Sequence, residues 1–186
     1  MRKKTMISDA DIAKLTMPVS QRDHIQGGDS AAQATLVEYG DYECPYCGQA
    51  YPIVKEVQKR LKNKLRFVFR NFPITQIHPH AQQAAEAAEA ASAQNKFWDM
   101  HDYLFEHQKA LDNVDLEQYA KKIQIGNIST FKNELGQHVY ASRVREDFLS
   151  GVRSGVNGTP TFFINGIRHD DSWDAKSLES AIKNTL

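Results

Sequence analysis

The sequence predicts one α/β domain, and three observations carry that prediction. Short β-favouring runs stand at 35–39, 65–70 and 161–164, a long helical block separates the last two, and a hairpin signal precedes a closing helix. Length and composition agree: the 186 residues are 41% hydrophobic and 25% charged, enough for a real core without stapling disulfides. Lys+Arg and Asp+Glu are both 23, with a pI near 7.1, so no global field favours nucleic acid or an anionic membrane, and neither is expected as a partner. No apolar run approaches the roughly 18 residues of a membrane span. Met1-Arg2-Lys3-Lys4 leads into polar Ser8-Asp9-Ala10-Asp11, with no apolar signal core. The expected compartment is the cytoplasm, or the periplasm if a signal peptide has been removed.

In chain order, Ser8 followed by Asp9 and Asp11 reads as a helix start, and Gln26-Gly27-Gly28-Asp29-Ser30 as a loop, so residues 1–29 read as an N-terminal extension to a domain over 30–186. Thr35-Leu36-Val37-Glu38-Tyr39 is a strand, followed by Cys44-Pro45-Tyr46-Cys47 at the head of a helix. Leu65 to Arg70 is a second strand, alternating apolar with polar in its first half. From Ala81 to about Ser154 the pattern is helical. Alanines crowd 84–93, and Phe97, Met100, Tyr103, Leu104 and Leu111 follow at helical spacings. The alanines read as close helix packing. Thr161 to Ile164 is a strand, Asn165-Gly166 a two-residue hairpin turn before Ile167-Arg168-His169, and Ala175 to Leu186 a final helix.

Chemistry concentrates at Cys44 and Cys47, the two cysteines of the chain. With Cys44 as N-cap, its sulfur faces the unpartnered N–H groups of the first helical turn and the positive end of the macrodipole, which favours a thiolate at neutral pH. Pro45 suits the first helical position, where its missing N–H costs nothing. Cys47 falls one turn later, within reach of a local disulfide. Since only the thiolate attacks a disulfide, the expected cycle is attack involving Cys44, a mixed disulfide, and resolution by Cys47, with no cofactor and no metal. Three other readings of the pair stay open. A structural zinc site would need four ligands, and neither a second cysteine pair nor a paired spacing among the seven histidines supplies them. An inert disulfide closing so short a loop would remove little unfolded-state entropy. Buried unreactive thiols would not call for the proline and the helix start.

Three separated segments, Leu36 to Cys47, Phe69-Arg70-Asn71-Phe72-Pro73, and Gly155 to Gly166 with Thr159-Pro160 inside it, together resemble the DsbA-like branch of the thioredoxin superfamily over about residues 18–186. The resemblance implies a thioredoxin fold with an inserted all-helical subdomain at about 78–154. It implies thiol-disulfide exchange, with Cys44 as nucleophile and Cys47 as resolving thiol. Thr159 and Pro160 match the family's cis-proline loop, which offers backbone hydrogen bonds to substrate. Pro52 resembles a proline that bends the active-site helix. Glu38 matches a buried acid beneath the second cysteine, a possible proton acceptor for Cys47. An outward-facing strand glutamate is the competing reading of Glu38.

Pro45 and Tyr46 tune the couple. Tyr46 departs from the histidine of the exported oxidants of this branch, and Pro-Tyr is also the dipeptide of glutaredoxins. A Cys44 pKa about three units below pH 7 would favour the reduced form by about 4 kcal/mol, or about 90 mV. Direction therefore stays open among oxidase, reductase and isomerase. Expected partners are protein or peptide thiols and disulfides, with glutathione or a recycling reductase or oxidase. The alternatives are a glutathione-dependent enzyme, glutaredoxin-like or transferase-like, and a non-enzymatic chaperone or metal-binding module. His78-Pro79-His80 reads either as a cleft or metal element or as a loop beside a helix cap. Tyr39, Tyr42, Tyr51, Phe67, Phe69, Phe72 and Trp98 read as core.

Overall fold

The computed structural model describes residues 13–28 and 32–186, and the helix start expected at Ser8 lies outside them. Among the described residues, β1 (His24–Gly27), β2 (Ala34–Gly40), β3 (Leu65–Asn71), β4 (Thr161–Ile164) and β5 (Ile167–His169) form one mixed sheet in the order β1-β3-β2-β4-β5. β2 and β3 are parallel, joined by the crossover helix α1 (Pro45–Leu61), and the other neighbours are antiparallel. Between β3 and β4 run α2 (Ala81–Ser92), α3 (Phe97–Glu106), α4 (Asn113–Lys122), α5 (Ile128–Gly136) and α6 (Ala141–Arg153), and α7 (Ala175–Lys183) follows β5. The architecture is a thioredoxin fold carrying a helical block between two of its strands.

Strand register sorts the side chains by parity. Leu36 and Glu38 share one face with Phe67, Phe69, Phe162 and Ile164, while Val37 and Tyr39 share the other with Val68, Arg70 and Phe163. Both faces are covered, so the half-polar pattern at the start of β3 marks only Arg66 as partly exposed, and Arg70 is sealed inside. On the first face α1 buries Cys47, Ala50, Val54, Val57 and Leu61, spaced by three and four residues, beside Leu178 and Ile182 of α7. Burying such a stripe contributes about 1.5–3 kcal/mol per large side chain, which holds the reactive helix against the sheet.

α2 is enclosed on every side. Ala84, Ala85, Ala87, Ala88, Ala90 and Ala91 are buried, and their small side chains let α3, α5 and α6 approach closely. Its buried carboxylates take partners, as burial requires. Glu89 accepts from Asn71 of β3 at 2.7 Å and pairs with His24 of β1 at 2.9 Å, while the Asn71 backbone N–H donates to Asp147 of α6 at 3.0 Å. The helical block is thus bonded to two strands.

The loop expected from Gln26 begins later, because Gln26 and Gly27 pair with β3 as part of β1. Gly27 takes φ +93, and a Cβ there would stand 2.6 Å from the Leu65 carbonyl oxygen, so a larger residue would be strained twice over. Residues within the stretch read as an extension therefore contribute a sheet strand, and Asp23 beside it holds Arg70.

Candidate active site

β2 ends at Gly40, and a tight turn carries the chain into α1. The Cys44 N–H donates to the Asp41 carbonyl at 3.1 Å, and the Glu43 N–H donates to the Asp41 carboxylate at 2.8 Å. Cys44 takes extended dihedrals, φ −71 and ψ 122, as the N-cap, with Pro45 at the first helical position. Pro52 lies inside α1, where it has no N–H for the Gly48 carbonyl four residues back.

The two thiols are free but unlike. The Cys44 thiol meets the Thr159 carbonyl at 3.3 Å, and the Thr159–Pro160 peptide bond is cis. Ionised, the Cys44 sulfur gains the hydrogen bond of the Cys47 thiol, and against the cost of burial it also gains the Thr159 hydroxyl and the N–H groups of Cys47 and Tyr46. Its pKa falls from 9.0 to about 5. Thr159 Oγ1 is otherwise buried without a partner. Cys47 moves the other way: burial first, then the neighbouring Cys44 and Glu38, push its thiol well above the ordinary range. The group acting against that rise is the Asp41 backbone N–H, 3.4 Å from the Cys47 sulfur.

Glu38 is 2% exposed, so the structure rejects the outward-facing reading of that residue. Burial, helped by the charge on Cys44, raises its carboxyl to about 8, and its Oε1 has no partner. It is thus largely protonated at neutral pH, on the same sheet face as the helix that carries Cys47. Tyr46 projects outward, 62% exposed, beside the reactive sulfur. Glu38, Cys44 and Cys47 from one segment and Thr159 and Pro160 from another, more than a hundred residues on, meet at the carboxyl end of β2 and the amino end of β4.

His78 and His80 sit on the turn rather than in an open cleft. His78 Nδ1 lies 2.8 Å from the Asp41 carboxylate, and His80 Nδ1 lies 2.8 Å from that of Glu43. Among the described residues no third His, Cys, Asp or Glu joins the cysteines in a metal-binding group. Two residues that sequence reading did not single out also shape the turn. Asp41 does so through both backbone and side chain. Gln108, after α3, donates its amide hydrogens to the carbonyls of Tyr42 at 2.9 Å and Cys44 at 2.8 Å. Asp41 was visible as an acid between strand end and helix start, whereas nothing local marks Gln108.

The thioredoxin family model matches residues 20–184, which include this whole arrangement. The chain belongs to the thioredoxin family. Among solved structures, this thioredoxin-family chain is similar to oxidised BdbD from Bacillus subtilis, with a TM-score of 0.82 and 26% identity over 93% of this chain and 97% of that one. It also shares its fold with α-DsbA1 from Wolbachia pipientis, with a TM-score of 0.77 and 19% identity over 92% and 93%. The architecture is that of the DsbA-like thiol-disulfide oxidoreductases. Among curated proteins, a Na(+)/H(+) antiporter NhaA 1 of Salinispora arenicola is 46% identical over 176 residues, 94% of this chain and 26% of the antiporter. The chain thus spans about a quarter of the length of that relative, and none of its described helices is long and apolar enough to cross a membrane.

Proposed function

We propose that this chain is a thiol-disulfide oxidoreductase that exchanges disulfides with protein or peptide thiols through Cys44 and Cys47. The observation that carries the reading is the asymmetry of the pair. Both residues are buried, Cys44 at 4% exposure and Cys47 at 0%, but the Cys44 sulfur is held as a thiolate by the donors around it beside an accessible tyrosine, while the Cys47 sulfur stays protonated one turn deeper.

In the reductive direction the Cys44 thiolate attacks a substrate disulfide, forming a Cys44–substrate bond while the distal substrate sulfur leaves with a proton. Cys47 then gives up its proton, its sulfur attacks Cys44, and the substrate's second sulfur is released reduced as the Cys44–Cys47 bond forms. Oxidation is the same path reversed. Glu38, when ionised, is the proton acceptor for Cys47 in this reading, and the Thr159–Pro160 segment lines the substrate strand beside Cys44. A cytoplasmic setting favours the reductive direction and a periplasmic one the oxidative. Glutathione or a dedicated reductase or oxidase would return the pair to its working state.

The test is equilibration of the purified protein with glutathione buffers, with thiols counted and exchange followed on a disulfide-bonded peptide. A two-electron couple, with exchange abolished by Cys44→Ser, supports the reading. Turnover that persists in Cys47→Ser and depends on glutathione points to a monothiol enzyme. Activity retained in Cys44→Ser overturns thiol chemistry.

A further inference from the structure

The Asp41 carboxylate, wholly enclosed, accepts three donors: the Glu43 N–H at 2.8 Å, the Ile74 N–H at 2.8 Å, and His78 Nδ1 at 2.8 Å. Its own backbone serves both cysteines, with the carbonyl taking the Cys44 N–H and the N–H pointing at the Cys47 sulfur. His78, with its side chain 13% exposed, comes from a loop 37 residues further on and is the one side chain among the three donors.

We propose that His78 and Asp41 form a positioning pair for the resolving cysteine: by fixing the Asp41 peptide, His78 keeps its N–H on the Cys47 sulfur where negative charge develops during resolution. This rests on the exchange reaction proposed above. In that step Cys47 loses its proton and is oxidised, its sulfur bonds to Cys44, and the departing substrate sulfur is reduced to a thiolate that takes up a proton. A hydrogen bond to a developing thiolate is stronger than one to a neutral thiol, so aiming the N–H lowers the barrier more than it stabilises the resting pair. The nearby His80–Glu43 link, with His80 44% exposed at its side chain and no contact to either sulfur, has no such role.

The experiment follows release of glutathione from the Cys44–glutathione mixed disulfide, made by adding oxidised glutathione to the reduced protein. His78→Phe removes the donor, and His78→Asn restores an amide donor near the position of Nδ1. The expected result is release slowed about tenfold in His78→Phe, near-native release in His78→Asn and His80→Gln, and an unchanged pH profile of Cys44 alkylation. A native rate in His78→Phe overturns the proposal, as do equal losses in the Phe and Asn variants or a shifted alkylation profile. If His78→Phe does not fold, Asp41→Asn takes its place: slowed release supports the pair, and native release overturns it. Failure of the unmodified protein to form the mixed disulfide would instead bring down the exchange reading itself, and the proposal with it.

Discussion

Arg70 and Glu38, on opposite faces of the sheet, are buried in opposite ways. On one face the Arg70 guanidinium, 0% exposed, gives its N–H groups to Asp23 at 2.7 and 3.2 Å, to the Met17 and Pro18 carbonyls at 3.0 and 3.2 Å, and to the Tyr39 hydroxyl at 2.9 Å. Tyr39 in turn meets Ser150 at 2.8 Å, tying in α6. On the other face Glu38 lies under α1 with one oxygen unpartnered and its pKa raised to about 8. The difference separates structure from chemistry. A charge with every hydrogen satisfied is fixed and cannot exchange protons cheaply, whereas an acid left short of partners beside a thiol titrates near neutral pH.

Breaking the satisfied side has the largest expected effect. Arg70→Met leaves Asp23 charged and buried without its partner, and should cost about 3–5 kcal/mol in chemical denaturation. Exchange by the fraction that remains folded should proceed at the native rate.

The unsatisfied side should show itself through pH. The folded-state pKa of Glu38 lies above its ordinary value of 4.5, so folding retains a proton that the unfolded chain sheds, and stability falls as pH rises from 4.5 through about 8. Glu38→Gln removes that loss. Its stability should match the native protein near pH 4 and exceed it above pH 8 by on the order of 2–4 kcal/mol, measured on the reduced proteins. A gain independent of pH would mean that the Glu38 carboxyl titrates alike in the folded and unfolded chains.

A smaller effect is expected at Gly48, where a Cβ would stand 2.0 Å from Gln108 Oε1. Gly48→Ala should push Gln108 off the Tyr42 and Cys44 carbonyls and cost about 1 kcal/mol despite the better helix propensity of alanine. Adding Gln108→Ala should relieve most of that cost, which a double-mutant denaturation cycle would read directly. Least of all, Lys132→Ala, which breaks an exposed link to Glu117, should change stability by less than about 1 kcal/mol.

Much of the site was legible because its signals are local. The helix start, the proline at its first position and the spacing of Cys44 and Cys47 lie within four residues, and helix geometry alone puts both sulfurs on one face. The alanine run over 84–93 signalled close packing because small side chains around most of the helix, interrupted by Glu86 and Glu89, suit a helix enclosed all round. Strand alternation served less well. It is a reliable guide where one face meets water, and here both faces are covered, so Arg66 and Arg70 look alike in sequence while only Arg70 is sealed.

By itself the sequence determined the element order from β2 onward, the reactive pair and, through separated motifs, the family resemblance. The first two depend on propensity, period or spacing within a short segment, and the third on likeness to a known family. Tertiary structure alone decided that Glu38 faces inward, that Gln26 and Gly27 join the sheet, and that His78 reaches Asp41. Those outcomes depend on which distant segments share a face or a turn, and the free energy of a buried polar group is set by partners that local sequence does not name.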